Sequence, residues 1–347
     1  MPRLSTPLRP VAGLVRRIQS KRETWTLEAS LNANEEMEGR DVTTAVRNGS
    51  ERSGRSEFEQ GGQALRLLRV GAPGNEWPAI LSATGQLFDL SGVVRDIDGA
   101  FWSGGGVDEA QRLVDSSSLP ELDLGTVRVG PPIAKPEKII CIGLNYRDHA
   151  AETGSPIPQE PIVFMKAPNC IVGPSDDILI PRGSTQTDWE VELAVVIGRR
   201  TRYLDSPDDS PSVIAGYAIS NDVSEREFQM ERGGQWDKGK CCETFNPLGP
   251  WVVTPDEIPD PQDLSLHLSV NGTTRQDGST KNMIYGVNHI IWYLSQFMVL
   301  EPGDLVNTGT PAGVSLGHDN IPFLSAKDIV ELEIEQLGIQ HSLVGQA

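Results

Sequence analysis

Short apolar runs separated by Gly, Pro, Asn and Asp dominate the chain after residue 64, and they predict more strands than helices. Six runs predict strands, over Leu65–Val70, Pro78–Leu81, Leu87–Leu90, Lys138–Gly143, Trp189–Ile197 and Ala215–Ile219. Two further runs, Leu264–Val270 and Thr273–Gln276, flank Asn271-Gly272, a pair that favours a two-residue hairpin turn. We therefore expect a mixed, mostly β fold, rolled into a barrel or sandwich, with a few helices.

Helical spacing of apolar residues is confined to fewer segments. The clearest covers Asn288–Met298, where Ile290, Ile291, Leu294 and Phe297 recur on one predicted stripe. This stripe predicts an amphipathic helix that packs against the strands.

The chain divides into three regions by composition. Residues 1–62 are polar and begin with 22 residues that carry six basic and no acidic side chains. We expect a disordered extension there, with an organelle transit peptide or a start codon placed too early as alternatives. Residues 63–130 predict a small N-terminal α+β subdomain, and residues 135–341 predict the larger, catalytic domain. The proline-rich stretch Val129–Pro136 is expected to link the two.

Charge and cysteine content narrow the class of protein. The 347 residues include 30 Lys and Arg against 48 Asp and Glu, a net charge of −18. This acidic balance argues against nucleic-acid binding, which depends on basic side chains that neutralise phosphates. No apolar run reaches the roughly 20 residues that a membrane span needs. Four cysteines do not make a disulfide scaffold, so we expect a cytoplasmic protein, or an organelle-matrix protein if residues 1–22 are a transit peptide.

Three carboxylates carry the strongest chemical signal. Glu190 and Glu192 alternate along the predicted strand Trp189–Ile197, so they share one face whose far end is apolar. Asp222 follows the strand Ala215–Ile219 at its carboxyl end. Together they would form an all-oxygen site that suits Mg²⁺ or Mn²⁺, with Ca²⁺ also compatible. A solvated edge strand and a turn-forming aspartate are the alternatives.

A histidine and a glutamate form a second candidate group. His149 and Glu152 stand three residues apart, which places them on one face of a helix. A glutamate that binds one imidazole nitrogen fixes the tautomer and leaves the other nitrogen free as a base. A surface ion pair is the alternative.

Five blocks of sequence, taken in order, resemble the fumarylacetoacetate hydrolase family. The blocks are Gly143–Glu152, Asp188–Gly198, Asn221–Arg226, Gly239-Lys240 and Pro302–Val314, within about residues 138–340. The stretch Asn221–Lys240 is similar to the sugar-acid branch of the family, the 2,4-diketo-3-deoxy-L-fuconate hydrolases. The resemblance implies a β-barrel or roll fold and a homodimer. It also implies roles for individual residues: metal ligands Glu190, Glu192 and Asp222; catalytic His149, Glu152 and Lys240; substrate contacts Arg226, Gln229 and Thr310.

The implied activity is hydrolysis of a carbon–carbon bond in a small diketo acid. The substrate would be a 2,4-dioxo acid, either an acylpyruvate or a diketo-deoxy sugar acid of sugar-acid catabolism, and the products pyruvate and a second carboxylic acid. Two alternatives are an oxaloacetate decarboxylase and a non-catalytic, metal-dependent binder of sugar acids. The chain departs from the family pattern at Cys241-Cys242-Glu243. It also departs at Ser315 and in the turn Ala326-Lys327-Asp328, two places where the family usually has glycine. These departures bear on the substrate more than on the metal site.

Overall fold

The computed structural model describes residues 65–82, 85–116, 118–123, 127–318 and 320–347. The extension expected over residues 1–62 lies outside these residues. The described strands are β1 (Arg66–Val70), β2 (Trp77–Leu81), β3 (Leu87–Asp89), β4 (Glu121–Leu122), β5 (Ile139–Gly143), β6 (Ile162–Lys166), β7 (Ile171–Val172), β8 (Ile178–Ile180), β9 (Thr187–Asp188), β10 (Val191–Ile197), β11 (Ile214–Asn221), β12 (Ser224–Glu225), β13 (Asn246–Pro247), β14 (Val252–Val253), β15 (Ser265–Val270), β16 (Thr273–Ser279), β17 (Leu305–Asn307), β18 (Ile329–Ile334) and β19 (Gly338–Gln346).

Helices are short and few among the described residues, so the expected mostly β fold is confirmed. The α-helices are α1 (Gly99–Ser103), α2 (Gly106–Asp115), α3 (Arg147–Glu152), α4 (Arg226–Met230), α5 (Asp237–Lys240) and α6 (Val287–Ser295). Short 3₁₀ turns cover Pro168–Cys170, Pro207–Val213, Pro255–Glu257 and Thr280–Asn282. No helix in the described part of the chain has the length and apolar character needed to cross a membrane.

One sheet of ten strands organises the molecule. Its order is β4-β3-β2-β1-β14-β11-β10-β17-β5-β6, and β10 and β11 lie near its centre. Every residue of β10 is buried, which explains why its sequence is apolar after Glu192. A second sheet has the order β16-β15-β18-β19-β8. Both sheets end in edge strands, so within the described residues the expected barrel-like roll consists of open sheets.

The N-terminal strands extend the same large sheet. Strand β1 pairs antiparallel with β14, so β1–β4 continue the sheet of the larger region. The stretch Val129–Pro136 does not lie free as a linker. Gly130 donates its backbone N–H to Arg69, and Ala134 donates to Ile97. Ile133 and Ala134 are buried, because apolar residues of this stretch join the core. The boundaries 63–130 and 135–341 stay predictions.

Local sequence signals predicted two elements well and one residue wrongly. Asn271 and Gly272 both take positive φ, +53° and +73°, as the hairpin between β15 and β16 requires. Helix α6 ends at Ser295 rather than at Met298. Phe297 therefore lies beyond the helix and is 66% exposed, so its assignment to the buried stripe was wrong.

The turn before β18 contains one of the departures from the family pattern, Lys327. Lys327 takes φ +81°, in the left-handed region that costs a residue with a Cβ about 1–2 kcal/mol. Its side chain is exposed, and its backbone N–H donates to Val344 across 2.7 Å. Ser315, the other departure of this kind, is not among the residues with positive φ, so a serine there carries no such strain.

Replacing Lys327 by glycine should therefore stabilise the protein. After the larger backbone entropy of glycine in the unfolded chain is subtracted, we expect the free energy of unfolding to rise by about 0.5–1 kcal/mol. Lys327→Ala is the matched control, because alanine removes the side chain but keeps the strain. Chemical denaturation of all three proteins measures the difference. A glycine variant no more stable than the alanine variant would contradict the strain.

Candidate active site

Strand pairing brings the three predicted carboxylates together. Asp222 donates its backbone N–H to Glu190 O across 2.9 Å, so these two residues lie opposite each other at the ends of β10 and β11. Glu192 lies two residues further along β10 and points to the same face. One oxygen from each carboxylate lies within 4.8 Å of the others, and all three residues are buried.

Basic side chains stabilise the charge on two of these carboxylates. The Lys240 ammonium donates to Glu190 Oε2 at 2.8 Å and to Asp222 Oδ2 at 2.9 Å. Arg226 Nη1 lies 2.7 Å from Glu190 Oε1. Burial alone would raise the pKa of Glu190, but Lys240 and Arg226 outweigh it and lower that pKa to about 2. Glu190 is therefore ionised at any physiological pH.

Glu192 has the opposite electrostatic environment. Its Oε2 accepts a hydrogen bond of 2.8 Å from the Gly309 backbone, yet its other close charged neighbours include Asp222 and Glu190. Burial and the repulsion of these two carboxylates raise its pKa well above the usual range. A divalent cation among the three oxygens would reverse this penalty. The donor set is entirely oxygen, which fits Mg²⁺ or Mn²⁺.

The second predicted group, His149 and Glu152, lies on α3, and the two side chains are in contact as the sequence predicts. His149 Nδ1 is 3.2 Å from Glu152 Oε2. Since a carboxylate only accepts, the ring nitrogen that faces it carries the hydrogen, and Nε2 is left as the basic nitrogen. Burial opposes ionisation of Glu152, but hydrogen bonds from His149, His318 and the Gly313 backbone lower its pKa.

Both groups border one cavity of about 370 Å³, and His149, Glu190 and Glu192 line it directly. One part of its wall is polar and charged, with His149, Glu190, Glu192, Arg226 and Lys240. Another part is apolar, with Ile142, Ile162, Phe164, Trp236 and Leu316. The volume suits a small molecule with a charged head and a short tail.

The remaining predicted residues also line this cavity, and each is held by protein contacts. Gln229 Oε1 accepts from Arg226 at 3.0 Å. The Thr310 hydroxyl donates to Val191 O at 2.9 Å and accepts from Gln276 at 2.7 Å. All nine predicted site residues are thus brought to one place. Seven of them line the cavity, whereas Glu152 and Asp222 lie behind its wall, in contact with His149 and Lys240.

Three further residues of the site were not assigned a role from the sequence. Lys166, at the end of β6, donates to Asp222 Oδ1 and, at 3.1 Å, to Val223 O. Its signal was the alternation of β6, which places it on the face of the cavity-lining Ile162 and Phe164. Asp188, two residues before Glu190 in sequence, accepts from Arg226 Nε at 2.9 Å. No sequence pattern pointed to His318, because it lies in a loop that is far from α3 along the chain.

The departure at Cys241-Cys242 leaves the carboxylates untouched. Cys241 follows α5, and its sulfur accepts from the Ala167 backbone at 3.2 Å. Cys242 Sγ lies 3.7 Å from Lys238 O. The Cys241 thiol therefore contacts backbone just after β6 and the Cys242 thiol contacts backbone of α5, rather than the oxygens that Lys240 binds.

Comparison with known proteins identifies the family of the chain. The pattern of the fumarylacetoacetate (FAA) hydrolase C-terminal family matches residues 138–344. The chain belongs to this family. The predicted resemblance is therefore confirmed, and the matched region contains every site residue named above.

Three relatives of known name place the chain within the family. A 2,4-didehydro-3-deoxy-L-rhamnonate hydrolase of Sphingomonas is 48% identical over 283 residues, which cover 81% of this chain and 96% of the relative. The structure is similar to fumarylacetoacetate hydrolase of Exiguobacterium antarcticum, with TM-score 0.70, 34% identity and coverage of 82% and 100%. It is also similar to maleylpyruvate hydrolase of Sphingobium, with TM-score 0.68, 26% identity and coverage of 81% and 100%. The family relationship and the Sphingomonas relative support a hydrolase of the sugar-acid branch.

The environment of Glu192 predicts an unusual pair of effects for Glu192→Gln. Without metal, the melting temperature should stay the same or rise, because an amide of the same shape removes a buried charge that faces two others. Added Mg²⁺ or Mn²⁺ should raise the melting temperature of the wild type but not of this variant, since a ligand charge is lost. Thermal melts with metal and with EDTA measure both effects.

Glu137→Gln is the matched control, because it removes an exposed carboxylate and should keep the metal-dependent rise. A Glu192→Gln protein that still gains the full metal-dependent stabilisation would show that the cation binds elsewhere.

Proposed function

We propose that this protein is a metal-dependent hydrolase that cleaves the C3–C4 bond of a 2,4-dioxo acid to give pyruvate and a second carboxylic acid. One observation carries the proposal: His149, with Glu152 bound to its Nδ1, lines the same small cavity as Glu190 and Glu192 of the carboxylate triad. The Sphingomonas relative supports a diketo-deoxy sugar acid as the substrate. The second product would then be a hydroxy acid such as lactate.

The three carboxylates and the cation they would hold form the metal half of the site. This half would bind the 2-oxo acid group, which is the head of the substrate. Glu190, Glu192 and Asp222 would hold the cation, which when bound supplies an anchor for the 2-oxo acid and a Lewis acid. Arg226 fixes Glu190 through its 2.7 Å contact, so the ligand keeps its position while the cavity fills. The apolar wall around Phe164 and Trp236 excludes water from the tail of the substrate.

The pair of His149 and Glu152, called the dyad below, would activate the attacking water. His149 Nε2 takes a proton from water while Glu152 stabilises the charge that develops on the imidazole. The oxygen adds to the C4 carbonyl, and the Lys240 ammonium is close enough to the triad to stabilise the oxyanion. The C3–C4 bond then breaks, its electron pair goes to C3, and a proton on C3 completes pyruvate.

Two other functions use fewer of these residues. Decarboxylation of oxaloacetate needs an electron sink but no attacking water. A binder of sugar acids needs neither. His149 lines the cavity, and Glu152 lies 3.2 Å from its Nδ1, which supports hydrolysis, the one of the three functions that uses an activated water.

A substrate panel tests the reaction class directly. The wild type should release pyruvate from acylpyruvates and from diketo-deoxy sugar acids in the presence of Mg²⁺ or Mn²⁺, and should lose this activity in EDTA. Oxaloacetate decarboxylation, followed as CO₂, should have a lower kcat/KM. Oxaloacetate as the best substrate would instead identify a decarboxylase, and tight binding without turnover would identify a binder.

His149→Ala separates hydrolysis from decarboxylation. Diketo-acid cleavage should fall by about 10²–10⁴-fold, the usual range for loss of a general base. Any oxaloacetate decarboxylation should fall much less, because the three carboxylates are intact. Initial rates of both reactions, with metal binding followed by calorimetry, measure the difference.

His267→Ala is the matched control, because His267 Nε2 contacts Thr274 in the β15–β16 hairpin and does not line the cavity. If His149→Ala abolishes both reactions equally while metal binding is intact, His149 serves a step common to both. If metal binding is lost as well, His149 is a ligand.

A further inference from the structure

The carboxylate of Glu152 binds more groups than His149 alone. It also accepts hydrogen bonds from Gly313 and contacts His318. Glu152 ends helix α3, where the partial negative charge of the helix terminus disfavours a carboxylate. Gly313 donates its backbone N–H to both oxygens, at 3.0 and 3.1 Å. His318 Nε2 lies 2.7 Å from Oε1, the shortest of the contacts described for this carboxylate. Donors from outside the helix thus offset the unfavourable position.

The segment that carries His318 is itself fixed to the metal half of the site. The backbone N–H of His318 donates to Ser315 O at 3.1 Å. Ser315 and Leu316 donate their backbone N–H groups to the two oxygens of Asp188, at 2.9 and 3.0 Å. Asp188 also binds Arg226, which contacts Glu190. The position of the His318 ring is therefore set by the same network that positions a metal ligand.

Glycine is required at the start of this segment. Gly313 takes φ +106°, and a Cβ there would lie 1.9 Å from Arg275 O. This tight passage aims the Gly313 N–H at Glu152. The 313–318 turn, residues Gly313–His318, thus delivers both a backbone donor and a side-chain donor to one carboxylate.

We propose that His318 is a positioning residue for the water-activating dyad: it holds Oε1 of Glu152 so that Oε2 faces His149. This inference rests on the proposed function, because the dyad matters only if His149 acts as a base. A neutral His318 with hydrogen on Nε2 is sufficient, since the carboxylate accepts. Held in this way, Glu152 keeps the hydrogen of His149 on Nδ1 and the free electron pair on Nε2.

Substitution of His318 should lower kcat and leave KM nearly unchanged. His318→Ala should reduce kcat by about 10- to 100-fold, the range for losing a group that orients a functional histidine. His318→Gln should restore most of the rate, because the glutamine amide can donate from nearly the position of Nε2. His267→Ala should leave kcat unchanged, and metal affinity should be constant throughout.

A double-mutant cycle distinguishes positioning from a general structural role. In a Glu152→Ala background His318 has nothing to hold, so His318→Ala should cost less than about twofold more. Additive losses in the two backgrounds, or full activity of His318→Ala on its own, would overturn the proposal.

A spectroscopic measurement tests the same inference without any substrate. The chain has five histidines, so ¹⁵N-histidine spectra can be assigned by single substitutions. His149 should carry hydrogen on Nδ1 in the wild type, exchange between tautomers in His318→Ala, and return to Nδ1 in His318→Gln. An unchanged His149 tautomer in His318→Ala would refute the positioning role. If the spectra change as expected but no dioxo acid is hydrolysed, the proposed function fails and the positioning role does not.

Discussion

Burial of three carboxylates on one face of a sheet is the constraint that shapes this molecule. Antiparallel pairing of β10 with β11 forces Glu190, Glu192 and Asp222 together, and all three are buried. Desolvation and mutual repulsion make such a group costly unless positive charge compensates it. Much of the surrounding structure can be understood as compensation.

The compensation is incomplete in a way that suits the proposed chemistry. In the described network, Glu190, Asp222 and Asp188 contact three basic side chains, Lys166, Arg226 and Lys240, whereas Glu192 takes part in none of these ion pairs. Burial and the neighbouring carboxylates Asp222 and Glu190 raise the pKa of Glu192. A divalent cation would supply the positive charge that Glu192 lacks.

Sequence patterns predicted the parts of this arrangement that depend on local chain geometry. Alternation along Trp189–Ile197 placed Glu190 and Glu192 on one face, and Asn271-Gly272 predicted the hairpin turn. The spacing of His149 and Glu152 predicted their contact. His318 reaches the site through a contact between distant segments, which one sequence does not encode in any periodicity. Lys166 follows the alternation of β6, but its pairing with Asp222 also joins distant segments. The prediction that Phe297 belongs to the helical stripe was wrong because helix α6 ends before this residue. The spacing of apolar residues alone does not give the end of a helix.

Asp188 connects the two halves of the site. Its oxygens accept from the backbone of the 313–318 turn on one side and from Arg226 on the other. The turn fixes Glu152 and so His149, while Arg226 fixes Glu190. Addition of water to a carbonyl requires that the base and the substrate head be held at a constant separation, since small displacements cost large factors in rate. A buried carboxylate that anchors both groups provides this separation without any direct contact between His149 and the ligands. The sheet therefore carries the proposed metal ligands, and a short helix held by a loop carries the proposed base, with Asp188 bonded to the residues that hold each.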